Sequence, residues 1–228
     1  MPEPGKYIVL EGDEGAGKTT QLELLRKKLQ AVLSSQTADS PKVLKLREPG
    51  GDQAAEQIRE ILKYSPHDMT PIAQTLGFLS ARANMLELVV KPKLAIGTWV
   101  LIDRSTISTL VYQGHVLGLI PDPYRETDMV KGFLTAVEWV ASIKRPTLTI
   151  VLDIPYEISA ERIKKRDGKT DRFESFDSSK REAINSWYRH YGDPFFANTA
   201  LVDGNQSVEQ VQSDIWALVE PLLPEEAS

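Results

Sequence analysis

The sequence predicts an α/β protein in which a parallel β-sheet is flanked by helices. Short apolar runs typical of buried strands alternate with longer stretches in which apolar residues recur every three or four positions. Such alternation is typical of β–α–β crossovers, which join parallel strands. The five strand-like runs are residues 7–10, 43–46, 99–102, 148–152 and 199–202.

Three of the intervening helices have clear sequence signals. The first follows the first strand and has an apolar stripe of Leu22, Leu25 and Leu29. The second is expected from about residue 71 towards residue 90, before Pro92 disturbs it. The last begins at Ser207, where Ser-Val-Glu-Gln matches a capping box. One face of the second helix is predicted to carry Leu76, Leu79, Ala83, Leu86 and Val90.

Composition limits the classes of function that the chain can have. Its 228 residues fit a single domain, 1–228, with a flexible acidic tail at about 224–228. There is no Cys, which excludes disulfides and zinc–thiolate sites. The net charge is −5, which argues against nucleic acid as a partner, and no apolar run reaches the length of a membrane span. We therefore expect a cytoplasmic protein whose anion binding is local.

A phosphate-binding loop follows the first strand directly. Residues 12–19 read Gly-Asp-Glu-Gly-Ala-Gly-Lys-Thr, which fits G-x-x-x-x-G-K-[ST] between a strand and a helix. In this motif the Lys18 ammonium reaches the β- and γ-phosphates, and the Thr19 hydroxyl ligates Mg²⁺. The sequence therefore predicts ATP and Mg²⁺ as ligands. The residues expected to bind the ATP phosphates are Gly12, Gly15, Ala16, Gly17, Lys18, Thr19 and Thr20.

Two strand-like runs end in an aspartate that could serve the metal. They are Asp103 and Asp153, and ligands of open α/β sheets collect at the carboxyl ends of strands. Asp103 is favoured as the partner of Thr19 because Arg104 follows it and offers a guanidinium to a phosphate. The alternative for either aspartate is a helix cap.

Further motifs occur in a characteristic order. Arg47-Glu48-Pro49-Gly50-Gly51 follows the second strand, Phe78 and Arg82 are separated by one helical turn, and Asp103-Arg104 precedes Ser-Thr-Leu-Val-Tyr-Gln-Gly at 108–114. With these motifs the chain resembles the thymidylate kinases, the bacterial kind most closely. The resemblance implies a P-loop nucleoside monophosphate kinase fold with a five-stranded parallel sheet and a mobile lid. It also implies a homodimer and the reaction ATP plus dTMP giving ADP plus dTDP.

The resemblance also implies roles for individual side chains. Glu14 would accept a hydrogen bond from the 3′-OH of the acceptor, and Arg47 and Arg104 would grip its 5′-phosphate. For Arg47 the alternative is an ion pair with Glu48. The remaining acceptor contacts are a stacking Phe78, a hydrogen bond from Arg82 to a base carbonyl, Tyr112 against the deoxyribose, and polar contacts from Ser108 and Gln113.

The lid is expected at about 162–174. Residues 162–172 contain six basic and two acidic side chains, and Gly168 provides a flexible joint. Some thymidylate kinases carry a catalytic arginine in the phosphate-binding loop, where this chain has Gly15. The resemblance therefore implies that the lid supplies it, and Arg166 is the expected residue. The catalytic set is Lys18, Arg104, Arg166 and Glu14, and the other lid residues are Arg162, Lys169 and Arg172.

Three departures from the family pattern leave the acceptor base open. They are Asp13 in the phosphate-binding loop, Ser105 after Asp103-Arg104, and the pair Asn84-Met85. A kinase of dUMP or of a 5-modified deoxypyrimidine monophosphate is therefore an alternative. A nucleotide-binding regulator without turnover is another.

Overall fold

The computed structural model describes residues 3–36, 42–165, 173, 176–192 and 198–224. Within them, one parallel sheet has the strand order β2-β3-β1-β4-β5, and the predicted fold class is confirmed. The strands are β1 (Tyr7–Gly12), β2 (Val43–Arg47), β3 (Trp99–Asp103), β4 (Leu148–Asp153) and β5 (Thr199–Asp203).

Helices cover both faces of this sheet. No helix among the described residues is long and apolar enough to cross a membrane. The α-helices are α1 (Lys18–Gln36), α2 (Gln53–Tyr64), α3 (Pro71–Met85), α4 (Lys91–Ala95), α5 (Thr106–Thr109), α6 (Asp128–Ala141), α7 (Tyr156–Lys164), α8 (Ser178–Tyr191) and α9 (Val208–Val219). Two π-helical segments, Leu86–Val90 and Leu110–Val116, continue α3 and α5, and a 3₁₀ turn, Glu220–Leu222, follows α9.

The two faces of β1 organise the core. Ile8 and Leu10 pack with the apolar side of α1 and with α9, whereas Tyr7 and Val9 pack with the π-helical segment Leu86–Val90. Because β1 is buried on both faces and paired on both edges, it reads as a continuous apolar run. The chain leaves β1 towards the phosphate-binding loop in the middle of the sheet, at the edge where α/β proteins bind ligands.

The predicted apolar stripe of the first helix and the predicted start of the last helix agree with the structure. The stripe of α1, Leu22, Leu25 and Leu29, is buried. The Ser207 side chain accepts a hydrogen bond from the Gln210 backbone N–H, as the capping-box match requires. The reciprocal bond is not made, because the Gln210 amide donates to Asp214 instead.

The second helix differs from its prediction in two ways. Helical structure continues past Val90 to the end of α4, because the Lys91 N–H bonds to Leu86 O through the π-helical turn. Pro92 lies in the first turn of α4 and does not end the helical structure. Leu76 was assigned to the buried stripe but is 59% exposed, whereas Leu79 is buried against α6.

Candidate active site

The phosphate-binding loop adopts the conformation that its glycines predict. Gly15 has φ +77°, and a Cβ there would lie 2.9 Å from the carbonyl oxygen of Ser159 on α7. The loop therefore packs directly on α7 and has no room for a side chain at this position. Lys18 is buried, and its Nζ donates to the carbonyls of Gly12 at 3.0 Å and Asp13 at 2.7 Å. Burial lowers the pKa of Lys18.

A cavity of about 390 Å³ opens at this loop. The Thr19 hydroxyl donates to Asp103 Oδ2 at 3.0 Å, which places a hydroxyl and a carboxylate oxygen together beside the loop. The Asp153 carboxylate is instead held by Arg189, at 2.9 and 3.1 Å. Gly12, which was also predicted to bind the ATP phosphates, does not line this cavity. The lining residues include the rest of the predicted set, Gly15, Ala16, Gly17, Lys18, Thr19 and Thr20, together with Arg162, Gly204 and Gln206.

Arg104 is held in a strained turn after β3. Its φ is +72°, a conformation that non-glycine residues rarely adopt and that the surroundings must stabilise. Its Nη1 donates to Gly12 O at 3.1 Å and Tyr188 OH at 2.7 Å, and its Nη2 lies 3.4 Å from Glu14 Oε1. Burial raises the pKa of Tyr188, so this hydroxyl stays neutral and can accept from the guanidinium.

The turn itself is anchored by Glu11, a fully buried carboxylate within β1. Its Oε1 accepts from the backbone N–H groups of Ser105 and Ser108 at 2.7 and 3.1 Å, and its Oε2 accepts from Ser108 Oγ at 2.6 Å. The Ser108 hydroxyl also accepts from Arg104 Nη1 at 3.2 Å. Ser108, which was expected near the base, therefore holds the arginine turn.

A second cavity of about 700 Å³ shares Glu14, Thr19 and Asp103 with the first. It brings together all the side chains that the sequence assigned to the acceptor nucleotide, and it adds Phe173. They are Glu14, Arg47, Phe78, Arg82, Arg104, Ser108, Tyr112 and Gln113.

Arg82 is fixed by buried partners at one end of this cavity. Its Nε donates to Glu48 Oε2 at 2.6 Å, and its Nη2 donates to Ser105 O and Thr109 Oγ1 at 2.8 and 3.0 Å. Its Nη1 is buried and has no hydrogen-bond partner among the described residues. Burial raises the pKa of Glu48, and the Arg82 charge opposes this shift.

Aromatic rings also line this cavity. Phe78 and Tyr112 each contact Phe173, with ring centroids 5.9 and 5.7 Å apart. The Arg104 guanidinium lies 5.4 Å from the centre of the Tyr112 ring. Gln113 is buried, and its Nε2 donates to Gln74 at 3.4 Å.

Arg47 has a different environment from the one expected. It lines the cavity, but its side chain is 57% exposed and pairs with Glu56 at 3.1 Å. The alternative pair with Glu48 is not formed, because Glu48 is held by Arg82.

Part of the predicted lid can be placed. Arg162 Nη1 donates to Gly15 O at 3.2 Å, so this side chain lies over the phosphate-binding loop. Arg166, Gly168, Lys169 and Arg172 lie outside the described residues.

Comparison with known proteins identifies the family. The thymidylate kinase family model matches residues 10–215. The chain is 35% identical over 229 residues to the thymidylate kinase of Bradyrhizobium diazoefficiens, covering 98% of this chain and 93% of that protein. It is 39% identical over 217 residues to the enzyme of Pseudomonas putida, with 94% and 95% covered. The chain belongs to the thymidylate kinase family. Members of this family are ATP-dependent phosphotransferases.

Several residues of this thymidylate kinase site were missed by sequence reasoning. Glu11 had a usable signal, because it is an acidic residue in a run of buried apolar positions. Tyr188 and Gln74 had no such sequence signal, because they belong to no motif and lie on helices far in sequence from the residues that they contact. Phe173 was read only as part of the lid ending.

The buried Glu48–Arg82 pair predicts a large effect on stability. Glu48→Gln should lower the free energy of unfolding by about 3 kcal/mol or more, because it leaves the Arg82 guanidinium buried without its charged partner. Glu56→Gln is the matched control: its pair with Arg47 is exposed and should contribute less than about 1 kcal/mol. Urea denaturation measures both, and equal losses would contradict the assignment.

Proposed function

We propose that the chain transfers the γ-phosphoryl group of ATP to the 5′-phosphate of dTMP, giving ADP and dTDP. The observation that carries this proposal is the junction of the two cavities. Glu14, Thr19 and Asp103 line both, so a nucleotide in one cavity would present its phosphates to a nucleotide in the other. Phosphoryl transfer depends mainly on such positioning and on electrostatic stabilisation.

The donor phosphates would be bound by the phosphate-binding loop. Its backbone N–H groups and the N-terminus of α1 favour anions. Lys18 would exchange the carbonyls of Gly12 and Asp13 for the β- and γ-phosphates. Arg162 and Gly204, which line the same cavity, are the nearest candidates for contacts to the rest of ATP.

The oxygen atoms of Thr19 and Asp103 fit Mg²⁺. Mg²⁺ is commonly held by one or two protein oxygens together with substrate phosphates and water. Among the described residues no group of three or more His, Cys, Asp or Glu side chains could form a metal cage, so a site shared with ATP is the arrangement that fits. When bound, the ion neutralises phosphate charge. Thr19 and Asp103 would hold it where the two cavities meet.

The acceptor would occupy the larger cavity. Arg104 would bind its 5′-phosphate, joined by Arg47 once that side chain leaves its exposed pair with Glu56. The unpartnered Nη1 of Arg82 would donate to a thymine carbonyl, and the Phe78 ring would stack on the base. Tyr112, Glu14 and Gln113 would contact the sugar and the base as the sequence predicts.

The lid arginine remains a prediction. A side chain at Gly15 would collide with the Ser159 carbonyl, so the phosphate-binding loop cannot supply a cation from that position. We therefore propose Arg166 as the residue that neutralises charge on the transferring group, with Lys164, Lys169 and Arg172 as alternatives in the same segment.

We also propose a homodimer that forms through α3. Ile72 and Leu76 are 51% and 59% exposed, although both are large apolar side chains. They are one helical turn apart and therefore share a face. A second copy of the chain would bury this face.

The kinase proposal predicts a defined product balance. With Mg²⁺, ATP and dTMP the protein should form ADP and dTDP in equal amounts, with dTMP used better than dUMP, a 5-substituted dUMP, dCMP or dGMP. Lys18→Met should lower kcat by at least about 10²-fold, and chelation of Mg²⁺ should stop turnover. A coupled assay with nucleotide chromatography measures both.

The control is Lys27→Met, which makes the same exchange on the exposed side of α1 and should leave kcat unchanged. ADP formation at the same rate without dTMP would contradict the kinase, and preferential use of another acceptor would contradict dTMP.

The dimer proposal predicts a mass of twice the 25.5 kDa chain in light scattering at micromolar concentration. Leu76→Glu should give a monomer, because it places a charge on the proposed interface. Ile96→Glu is the control, since Ile96 is 64% exposed after α4 and should not affect the dimer. A monomeric wild-type protein would reject the proposal.

A further inference from the structure

Asp13 is an acidic residue of the phosphate-binding loop that lines neither cavity. Its side chain is fully buried, and its carboxylate contacts three elements outside the loop. Oδ2 accepts from Ser159 Oγ of α7 at 2.9 Å. Oδ1 accepts from Tyr112 OH at 3.4 Å and lies 3.8 Å from Arg181 Nη1 of α8. The carboxylate therefore joins the loop to the helices on both sides of the lid segment and to a residue of the larger cavity.

The same carboxylate fixes one peptide plane of the loop. Oδ1 accepts from the Glu14 backbone N–H at 2.7 Å, while the carbonyl of the same peptide accepts from Lys18 Nζ at 2.7 Å. The N–H and C=O of a trans peptide point in opposite directions, so these two bonds hold the plane from both edges. The bond from the Glu14 N–H to Asp13 Oδ1 does not involve Lys18 and would therefore still hold the plane after Lys18 turns to the phosphates. The orientation of this plane sets the position of the Glu14 side chain and the distance that Lys18 must span.

Ser159 strengthens this arrangement from α7. Its hydroxyl lies 2.9 Å from Asp13 Oδ2 and 3.0 Å from the Glu14 carbonyl oxygen. Ser159 is fully buried and lines neither cavity. The carboxylate of Asp13 and the next carbonyl of the loop are therefore held at one point on α7.

We propose that Asp13 is a positioning residue for phosphoryl transfer. It holds the 13–14 peptide so that Lys18 contacts ATP and Glu14 contacts the acceptor with the reacting groups correctly placed relative to each other. This rests on the proposed function. Asp13 touches neither substrate, so its contribution passes through Lys18 on the ATP side and Glu14 on the acceptor side. A misplacement of about 1 Å between reacting groups can lower the rate by about 10²-fold, so the loss of such a buried anchor should be measurable as a lower kcat.

A purely structural role for Asp13 would give a different pattern of kcat and Tm values in the variants. The charge of Asp13 compensates Arg181, whose side chain is 6% exposed, and this pair contributes to stability. The acceptor oxygen of Asp13 fixes the loop peptide. Asp13→Asn removes the charge but retains an oxygen that can accept from the Glu14 N–H, whereas Asp13→Ala removes both. The two roles are therefore separable.

The experiment measures kcat, KM and Tm for the full-length wild type, Asp13→Asn and Asp13→Ala. Both variants should lower Tm, because both remove the charge that faces Arg181. The positioning role predicts that kcat falls by about 10-fold or more in Asp13→Ala and by less than about threefold in Asp13→Asn. The KM for ATP should change by less than about threefold, because the loss is expressed mainly in the transition state.

Ile215→Val is the control for destabilisation. Ile215 lies on α9 and is fully buried in the core, so the exchange should lower Tm by a few degrees and leave kcat unchanged. Ser159→Ala provides a second test if Asp13→Ala does not fold, and it should lower kcat by at least about threefold.

Equal loss of kcat in Asp13→Asn and Asp13→Ala would overturn the proposal, as would wild-type kcat in Asp13→Ala or in Ser159→Ala. A wild-type protein that forms no dTDP would contradict the proposed function itself, and this proposal with it.

Discussion

The site depends on one constraint, which is that a carboxylate buried beside the sheet needs hydrogen-bond donors or an ion pair. An unpartnered buried charge costs several kcal/mol, so the fold has to bring donors to it. Three such carboxylates lie near the carboxyl ends of two strands: Glu11 in β1, Asp13 after β1 and Glu48 after β2. Their donors belong to the phosphate-binding loop, to the Arg104 turn and to Arg82. The groups that face the nucleotides are therefore held before any nucleotide binds.

The same carboxylates explain how an acidic protein can bind two polyanions next to each other. The net charge of −5 does not attract nucleotides, so the cations must be concentrated locally. Lys18 and Arg104 lie close enough to repel each other, and Arg82 donates to the carbonyl of Ser105, the residue after Arg104. Glu48 and Glu14 offset part of this positive charge through ion pairs with Arg82 and Arg104. The exposed Arg47–Glu56 pair is different, because it contributes little and can be exchanged for a phosphate.

Much of this could be predicted from sequence, because the responsible signals are local. The strand runs, the α1 stripe and the phosphate-binding loop each depend on residues that are adjacent or one helical turn apart. The side chains around the larger cavity could be named only through the resemblance, which supplied the long-range arrangement.

The exposure of Leu76 could not be predicted, because periodicity identifies a face but not which part of it is covered. The continuation of the helix through Pro92 depends on a π-helical turn that the apolar pattern does not show. The roles of Glu11, Asp13 and Tyr188 depend on contacts between residues about 80 to 150 positions apart.

The central claim is that buried carboxylates set the rate of transfer without touching a nucleotide, and Glu11 tests it most directly. Glu11→Ala removes both oxygens that anchor the Arg104 turn, while the phosphate-binding loop retains its own bonds. The decisive measurement is kcat at saturating ATP and dTMP, together with the Kd of ATP, below the Tm of the variant. The account predicts a fall in kcat of about 10-fold or more with the Kd of ATP nearly unchanged. A kcat within about threefold of the wild-type value would contradict it.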